Sequence, residues 1–309
     1  MTTDSPRSFV GPAALRPGDR VAVITVSSPA DQDNLEAGLQ SLRDLGLSPD
    51  VFASARAAGD YLAGDDKLRA EDLTTALTDP AYTAVFLACG GYGAQRTLEL
   101  VDWDAIGSPS PRVVLGFSDV TALSEAVAVK LGWSSLFAPM PAISGFHPGQ
   151  AGFDGLAQLL FSPGSVQELV FPAAKTLVPG TAEGFTLGGT ATLLACSVGT
   201  PTSLPARGGI LLLEDVDEKT FRLDRFLTQL RRADYFDGVA GIVCGTFTDC
   251  GEPEQIEELL LDRLGDLGVP VLAGADIGHG VPMQTFPIGV RARLDADRGV
   301  LRFLEPVLS

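Results

Sequence analysis

Between residues 20 and 119, short apolar runs alternate with stretches of helical period, and this alternation limits the architectures open to the chain more than any other feature. The run 20–26 reads as a strand that ends in Ser27-Ser28-Pro29. Leu35, Leu39 and Leu42 then recur on one helical face, and Gly46 with Pro49 ends that helix. A short strand near Val51, a helix over 68–77 stopped by Pro80, the apolar run 83–88 and the strand 112–117 continue the pattern. Strands separated by helices pair in parallel, because the chain needs a long crossover to return to the same edge of a sheet. The functional edge of such a sheet is the one where strands end and helices begin. Both Gly90-Gly91-Tyr92-Gly93 and Ser118 fall on that edge.

Beyond it the pattern weakens. Pro139, Pro141, Pro148, Pro163, Pro172 and Pro179 punctuate a segment that reads as a linker with one short helix over 153–160. Apolar strands follow at 209–214 and 239–245, helices at 221–232 and 254–264, and a β-rich end over 288–303. The expected fold class is therefore α/β. A mainly parallel N-terminal domain (1–145) carries the Ser118 turn, a Pro-rich linker spans 146–178, and a β-rich α/β C-terminal domain (179–309) completes the chain.

At 309 residues, 45% hydrophobic and 20% charged, the chain has ample material for a buried core. Its 22 Lys+Arg against 39 Asp+Glu leave a formal charge of −17, which argues against nucleic acid or an anionic membrane as partner. The first ten residues lack the apolar run of a secretory signal and no segment is apolar enough to span a bilayer, so a cytoplasmic location is expected. Cys89, Cys196, Cys244 and Cys250 form no CxxC pair and read as reduced, structural residues.

Ser118 sits in Gly116-Phe117-Ser118-Asp119-Val120, at a turn from strand to helix. Such a turn holds a serine clear of the sheet and sets the next amide at a helix N-terminus, where developing negative charge is stabilised. Helix capping is the plainer role for Ser or Asp there. Val120 stands where the α/β-hydrolase elbow has glycine, so the motif is not that elbow. A serine nucleophile needs a base, and the chain offers only His147, in the linker, and His279, in the glycine turn Gly278-His279-Gly280 after an apolar run. His279 is the better placed. A base histidine needs a carboxylate to orient it, and Glu214 closes an apolar strand, whereas Asp217 and Glu218 read as a solvated acidic loop. The turn at Gly90-Gly91 lacks the spacing of a phosphate loop or dinucleotide fingerprint and reads as a second oxyanion donor. No metal or cofactor motif is present, and none is expected.

Together these segments resemble the LD-carboxypeptidase family of serine peptidases, which includes murein tetrapeptide carboxypeptidases and microcin C self-immunity peptidases. The likeness runs from 18–23 through the Gly-Gly-Tyr-Gly turn, 116–123, Gly188-Gly189, Leu213-Glu214-Asp215 and Gly278-His279-Gly280 to 287–289. It implies a triad of Ser118, Glu214 and His279, with backbone amides of Gly91 and Asp119 as the oxyanion hole. It also implies a homodimer, and the expected substrate contacts are Gly90 and Tyr92 of the glycine turn, with Arg96 and Arg222 as candidates to replace the cation lost at Cys89. The implied reaction is hydrolysis of the L,D-amide before a terminal D-Ala of a murein tetrapeptide, on a small peptide substrate. The alternatives are cleavage of an aminoacyl-nucleotide conjugate, or a binder that has lost catalysis. The chain departs from the common pattern at Cys89, where many members have Arg, and at Phe137-Ala138-Pro139-Met140, where many have His-Gly-Pro-Met.

Overall fold

The computed structural model describes residues 8–309. The leader-free N-terminus expected from the first ten residues therefore lies mostly outside the described residues. Five strands, β1 (Arg20–Ile24), β2 (Ser48–Val51), β3 (Ala84–Leu87), β4 (Val113–Gly116) and β5 (Ser135–Phe137), form a parallel sheet in the order β5-β4-β3-β1-β2. β3 and β4 are buried throughout, as strands covered on both faces must be. Helices Gln32–Asp44 and Asp66–Thr78 start at Asp31 and Asp65, whose side chains cap the third amide onward.

The second sheet has eight strands. Those in the C-terminal part and the preceding segment are β6 (Glu168–Val170), β7 (Lys175–Val178), β8 (Thr181–Thr190), β9 (Gly209–Val216), β10 (Gly241–Thr248), β11 (Val271–Ala273), β13 (Arg291–Asp295) and β14 (Val300–Phe303), in the order β6-β14-β13-β8-β9-β10-β11-β7. The central four are parallel, and the outer pairings are antiparallel. Helices Ala191–Ser197, Thr220–Arg232 and Pro253–Leu264 make its crossovers.

The structure departs from the expected boundaries in two places. Residues 146–178 are not an open linker: helix Ala151–Phe161 buries Phe153, Leu156, Leu159 and Leu160 in the core, and β6 and β7 close opposite edges of the second sheet. The C-terminal part also returns to the first sheet, where β12 (Phe286–Ile288) pairs antiparallel with β5. The helix was legible over 153–160, but proline spacing marks breaks in regular structure and not which sheet a short strand joins, so the pairings of β6, β7 and β12 were not.

Period-two alternation in β9 sorts its side chains. Leu211 and Leu213 pack on the helices of the second layer, while Ile210 and Leu212 belong to the core shared with the first sheet. Glu214, next on the second of these faces, is turned toward the first domain and fully buried. Across the same junction, Glu125 of helix Thr121–Leu131 accepts hydrogen bonds from Ser197 Oγ, Leu204 N (3.0 Å) and Tyr235 Oη (3.3 Å). All four cysteines are free, and burial pushes the Cys244 thiol up to about 12. Among the described residues no helix is long and apolar enough to cross a membrane.

Burial pushes the Glu125 carboxyl up to about 7 from its ordinary 4.5, against the pull of its three hydrogen bonds. In that interval the folded chain holds a proton that the unfolded chain has released, so stability falls as pH rises from 4.5 to about 7. Urea unfolding should show the wild type losing about 2–3 kcal/mol more than Glu125→Gln between about pH 5 and about pH 8.

Candidate active site

The β4 strand ends at Gly116, where an added Cβ would press on both Val120 methyls at 3.0 Å, so the chain can turn tightly there only with glycine. Phe117 is extended, and Ser118 lies at φ 64°, in the left-handed region that a residue with a Cβ enters at a cost of about 1–3 kcal/mol. A single 3-10 turn over Ser118–Val120 leads into helix Thr121–Leu131. Asp119 is buried and does structural duty: its Oδ2 accepts from Ser27 Oγ (2.6 Å) and Ala94 N (2.8 Å), tying two loops to the Ser118 turn. Burial pushes its carboxyl up, with those hydrogen bonds opposing.

The glycine turn lies directly against Ser118. A Cβ on Gly90 would stand 2.9 Å from Ser118 Cβ and 3.4 Å from Asp119 N. Gly91 has φ 107°, and a Cβ there would collide with Ser28 Oγ at 2.4 Å. That Ser28 hydroxyl accepts from Tyr92 N (3.1 Å) and donates to Tyr61 O (2.8 Å), which fixes the turn. Among the described residues, the amides of Gly91 and Asp119 donate to no protein acceptor. Tyr92 is exposed beside Tyr61, with ring centroids 5.9 Å apart.

From the second sheet comes a buried acid and a histidine. His279 Nδ1 lies 2.8 Å from Glu214 Oε2, and the backbone N–H of His279 donates to the same oxygen at 3.3 Å. Because Nδ1 faces a carboxylate, it carries the proton and Nε2 is the ring nitrogen left to act as base. The other oxygen, Oε1, accepts from Thr190 Oγ1, which the parallel register of β8 and β9 sets directly beside Glu214. Thr190 also donates its N–H to Thr121 Oγ1 at 3.1 Å, across to the helix that follows Ser118. The His279 ring packs on Phe117 with centroids 4.9 Å apart. Ser118 Oγ makes no hydrogen bond to His279 in this arrangement. Beside Phe117 and His279 opens a cavity of about 400 Å³, whose far wall is formed by the 139–152 segment.

Residues 21–138 match the family model of the LD-carboxypeptidase N-terminal domain, and residues 183–294 match that of the LD-carboxypeptidase C-terminal domain. The chain belongs to the LD-carboxypeptidase family. With that family it is a serine-type hydrolase of peptide bonds. The murein tetrapeptide carboxypeptidase of Pseudomonas aeruginosa is 33% identical over 301 residues, covering 90% of this chain and 94% of the relative. The microcin C7 self-immunity protein MccF of Escherichia coli is 26% identical over 338 residues, covering 96% of each. Among solved structures, a muramoyltetrapeptide carboxypeptidase from Oxalobacter formigenes superposes with a TM-score of 0.80 at 25% identity, covering 92% and 97% of the two chains.

Within this LD-carboxypeptidase fold, the two arginines expected to bind substrate are already engaged. Arg96 pairs with Asp66 at 2.6 Å, and that carboxylate also holds the buried Arg69. Arg222 pairs at 2.5 Å with Glu218, in the loop just before its helix. No contact joins either to Ser118, Glu214 or His279. Several hydroxyls escaped the sequence reading: Ser27, Ser28, Thr121, Thr190 and Thr246, the last accepting from Gly280 N at 3.1 Å. Thr121 and Thr190 lie in or beside motifs that were noted, but a hydroxyl in a motif carries no sign of which oxygen it will meet.

Gly278 is the most constrained position around the acid. At φ 114°, a Cβ there would sit 2.3 Å from Glu214 Oε2 and 2.8 Å from Thr246 Oγ1. Gly278→Ala should therefore cost about 1–3 kcal/mol in thermal unfolding and lower kcat at least tenfold, on the order expected if overpacking displaces the Glu214–His279 contact.

Proposed function

We propose that this chain hydrolyses the L,D-amide bond before the terminal D-Ala of murein tetrapeptides, with Ser118 as nucleophile, His279 as base and Glu214 as its orienting acid. The single observation that carries the reading is the contact of His279 Nδ1 with fully buried Glu214 at 2.8 Å, on the ring that packs beside the Ser118 turn. The relative from Pseudomonas aeruginosa, named for this substrate, supports the choice. The setting we propose is recycling of muropeptides in the cytoplasm by a homodimer.

Ser118 Oγ attacks the scissile carbonyl and passes its proton to His279 Nε2. The carbonyl oxygen takes up the negative charge and is met by the free amides of Gly91 and Asp119. As the C–N bond breaks, the imidazolium gives that proton to the departing amine of D-Ala, leaving the tripeptide as an ester on Ser118. Water then attacks the ester, His279 accepts its proton, and Ser118 recovers its own as the tripeptide acid leaves. Glu214 stays a carboxylate throughout and steadies the imidazolium. The resting separation of Ser118 from His279 closes when substrate fills the cleft, as catalytic hydrogen bonds commonly do.

Chromatography of a tetrapeptide digest tests the reading. Ser118→Ala should lower kcat by about 10³-fold or more and Glu214→Gln by a comparable factor, with unfolding midpoints close to wild type. A Ser118→Ala variant that keeps wild-type kcat would remove Ser118 from the mechanism. Turnover of an aminoacyl sulfamoyl nucleotide with none of the tetrapeptide would move the substrate to the microcin class.

A further inference from the structure

The geometry points to His147 as the residue that receives the carboxylate of the departing amino acid, an inference that rests on the reading of the triad just given. The sequence leaves His147 as an ordinary residue of a Pro-rich stretch, yet the fold sets both histidines of the chain on one cavity, the 400 Å³ space beside His279.

The base histidine decides which part of the substrate this cavity takes. His279 must serve Ser118 Oγ in the first step and the leaving nitrogen in the second, so the leaving group lies against the imidazole. The acyl part lies on the other side, toward the amides of Gly91 and Asp119. The cavity walled by His279 and Phe117 is thus the leaving-group pocket. Ile143 and Met283 give it apolar surface suited to a methyl group. Among the described residues no Asp, Glu, Lys or Arg lines it.

A leaving D-Ala brings a carboxylate, and an anion needs a donor there. Arg96 and Arg222 are committed to Asp66 and Glu218. Apart from His279, which is committed to Glu214 and the proton relay, His147 is the only side chain on this cavity able to carry positive charge. Its ring is already oriented. Nδ1 lies 3.1 Å from the carbonyl oxygen of Pro148, an acceptor, so Nδ1 donates there, and in the imidazolium form Nε2–H is the donor left for the carboxylate. The loop that carries it is closed by short backbone bonds, His147 N to Gly145 O at 3.1 Å and Gln150 N to His147 O at 3.3 Å. His147 is exposed, so a substitution there removes no core packing.

His147 is a specificity-determining residue in this scheme, and the test measures the preference it creates. Two tetrapeptides are compared, one ending in D-Ala with a free carboxylate and one in the D-Ala carboxamide, with wild type, His147→Ala and His147→Arg. Wild type should favour the free acid, and His147→Ala should shrink that preference in kcat/KM by about 10- to 100-fold, the range for one charge-assisted hydrogen bond. The loss should fall mainly on KM of the acid and spare the amide. His147→Arg should restore at least part of the preference. An unchanged acid-to-amide ratio in His147→Ala, with the wild type active, would overturn the assignment while leaving the triad in place. A wild type that cleaves neither peptide would instead bring down the proposed function, and this inference with it.

Discussion

The seam where β8 meets the helix after Ser118 is the contact on which the rest of the site depends. Gly189, at φ 149°, comes so close that a Cβ would lie 2.5 Å from Thr121 Oγ1. That approach lets Thr190 give its N–H to Thr121 and its hydroxyl to Glu214. One residue therefore fixes the distance between a helix of the first sheet and a carboxylate of the second. The two sheets also share one core, in which Ile210, Leu212, Val243 and Leu272 of the second pack with residues of β1, β3 and β4.

Burying Glu214 completely would be costly for an isolated carboxylate, and the surroundings offset that cost with specific donors rather than with a fixed cation. One oxygen receives the Thr190 hydroxyl, and the other receives the imidazole and the backbone N–H of His279. The close packing of Gly278 and Gly245 around the same carboxylate excludes side chains that would turn it away, with a Cβ on Gly245 reaching 3.1 Å from Glu214 Cβ. Elsewhere, ion pairs such as Arg20–Asp50 and Arg231–Asp266 lie at the surface, where each contributes little.

Much of this arrangement was legible in the residues. The strand at 209–216, the turn at Ser118 and the histidine in its glycine turn all announce themselves through apolar runs broken by glycine or by a polar residue at the strand end. The ten-residue β8 did not, because Gly184, Gly188 and Gly189 thin out its apolar pattern just where close approach demands them. The two edge strands inside the Pro-rich stretch were hidden by their brevity, three and four residues between prolines. The sequence shows the charge of Arg96 and Arg222 and not the carboxylates, Asp66 and Glu218, that pair with it.

The sequence by itself determined the alternating architecture, the family and the three residue types of the proposed triad, because hydrophobic period and strand-end position are local properties. Only the tertiary structure decided which groups meet. It turned Glu214 inward by the register of β9, set Thr190 beside it, committed the arginines elsewhere and brought His147 to the cavity of His279. Each of those outcomes depends on contacts between segments tens of residues apart, which chain entropy leaves open until the two sheets pack and a single set of donors and acceptors is satisfied.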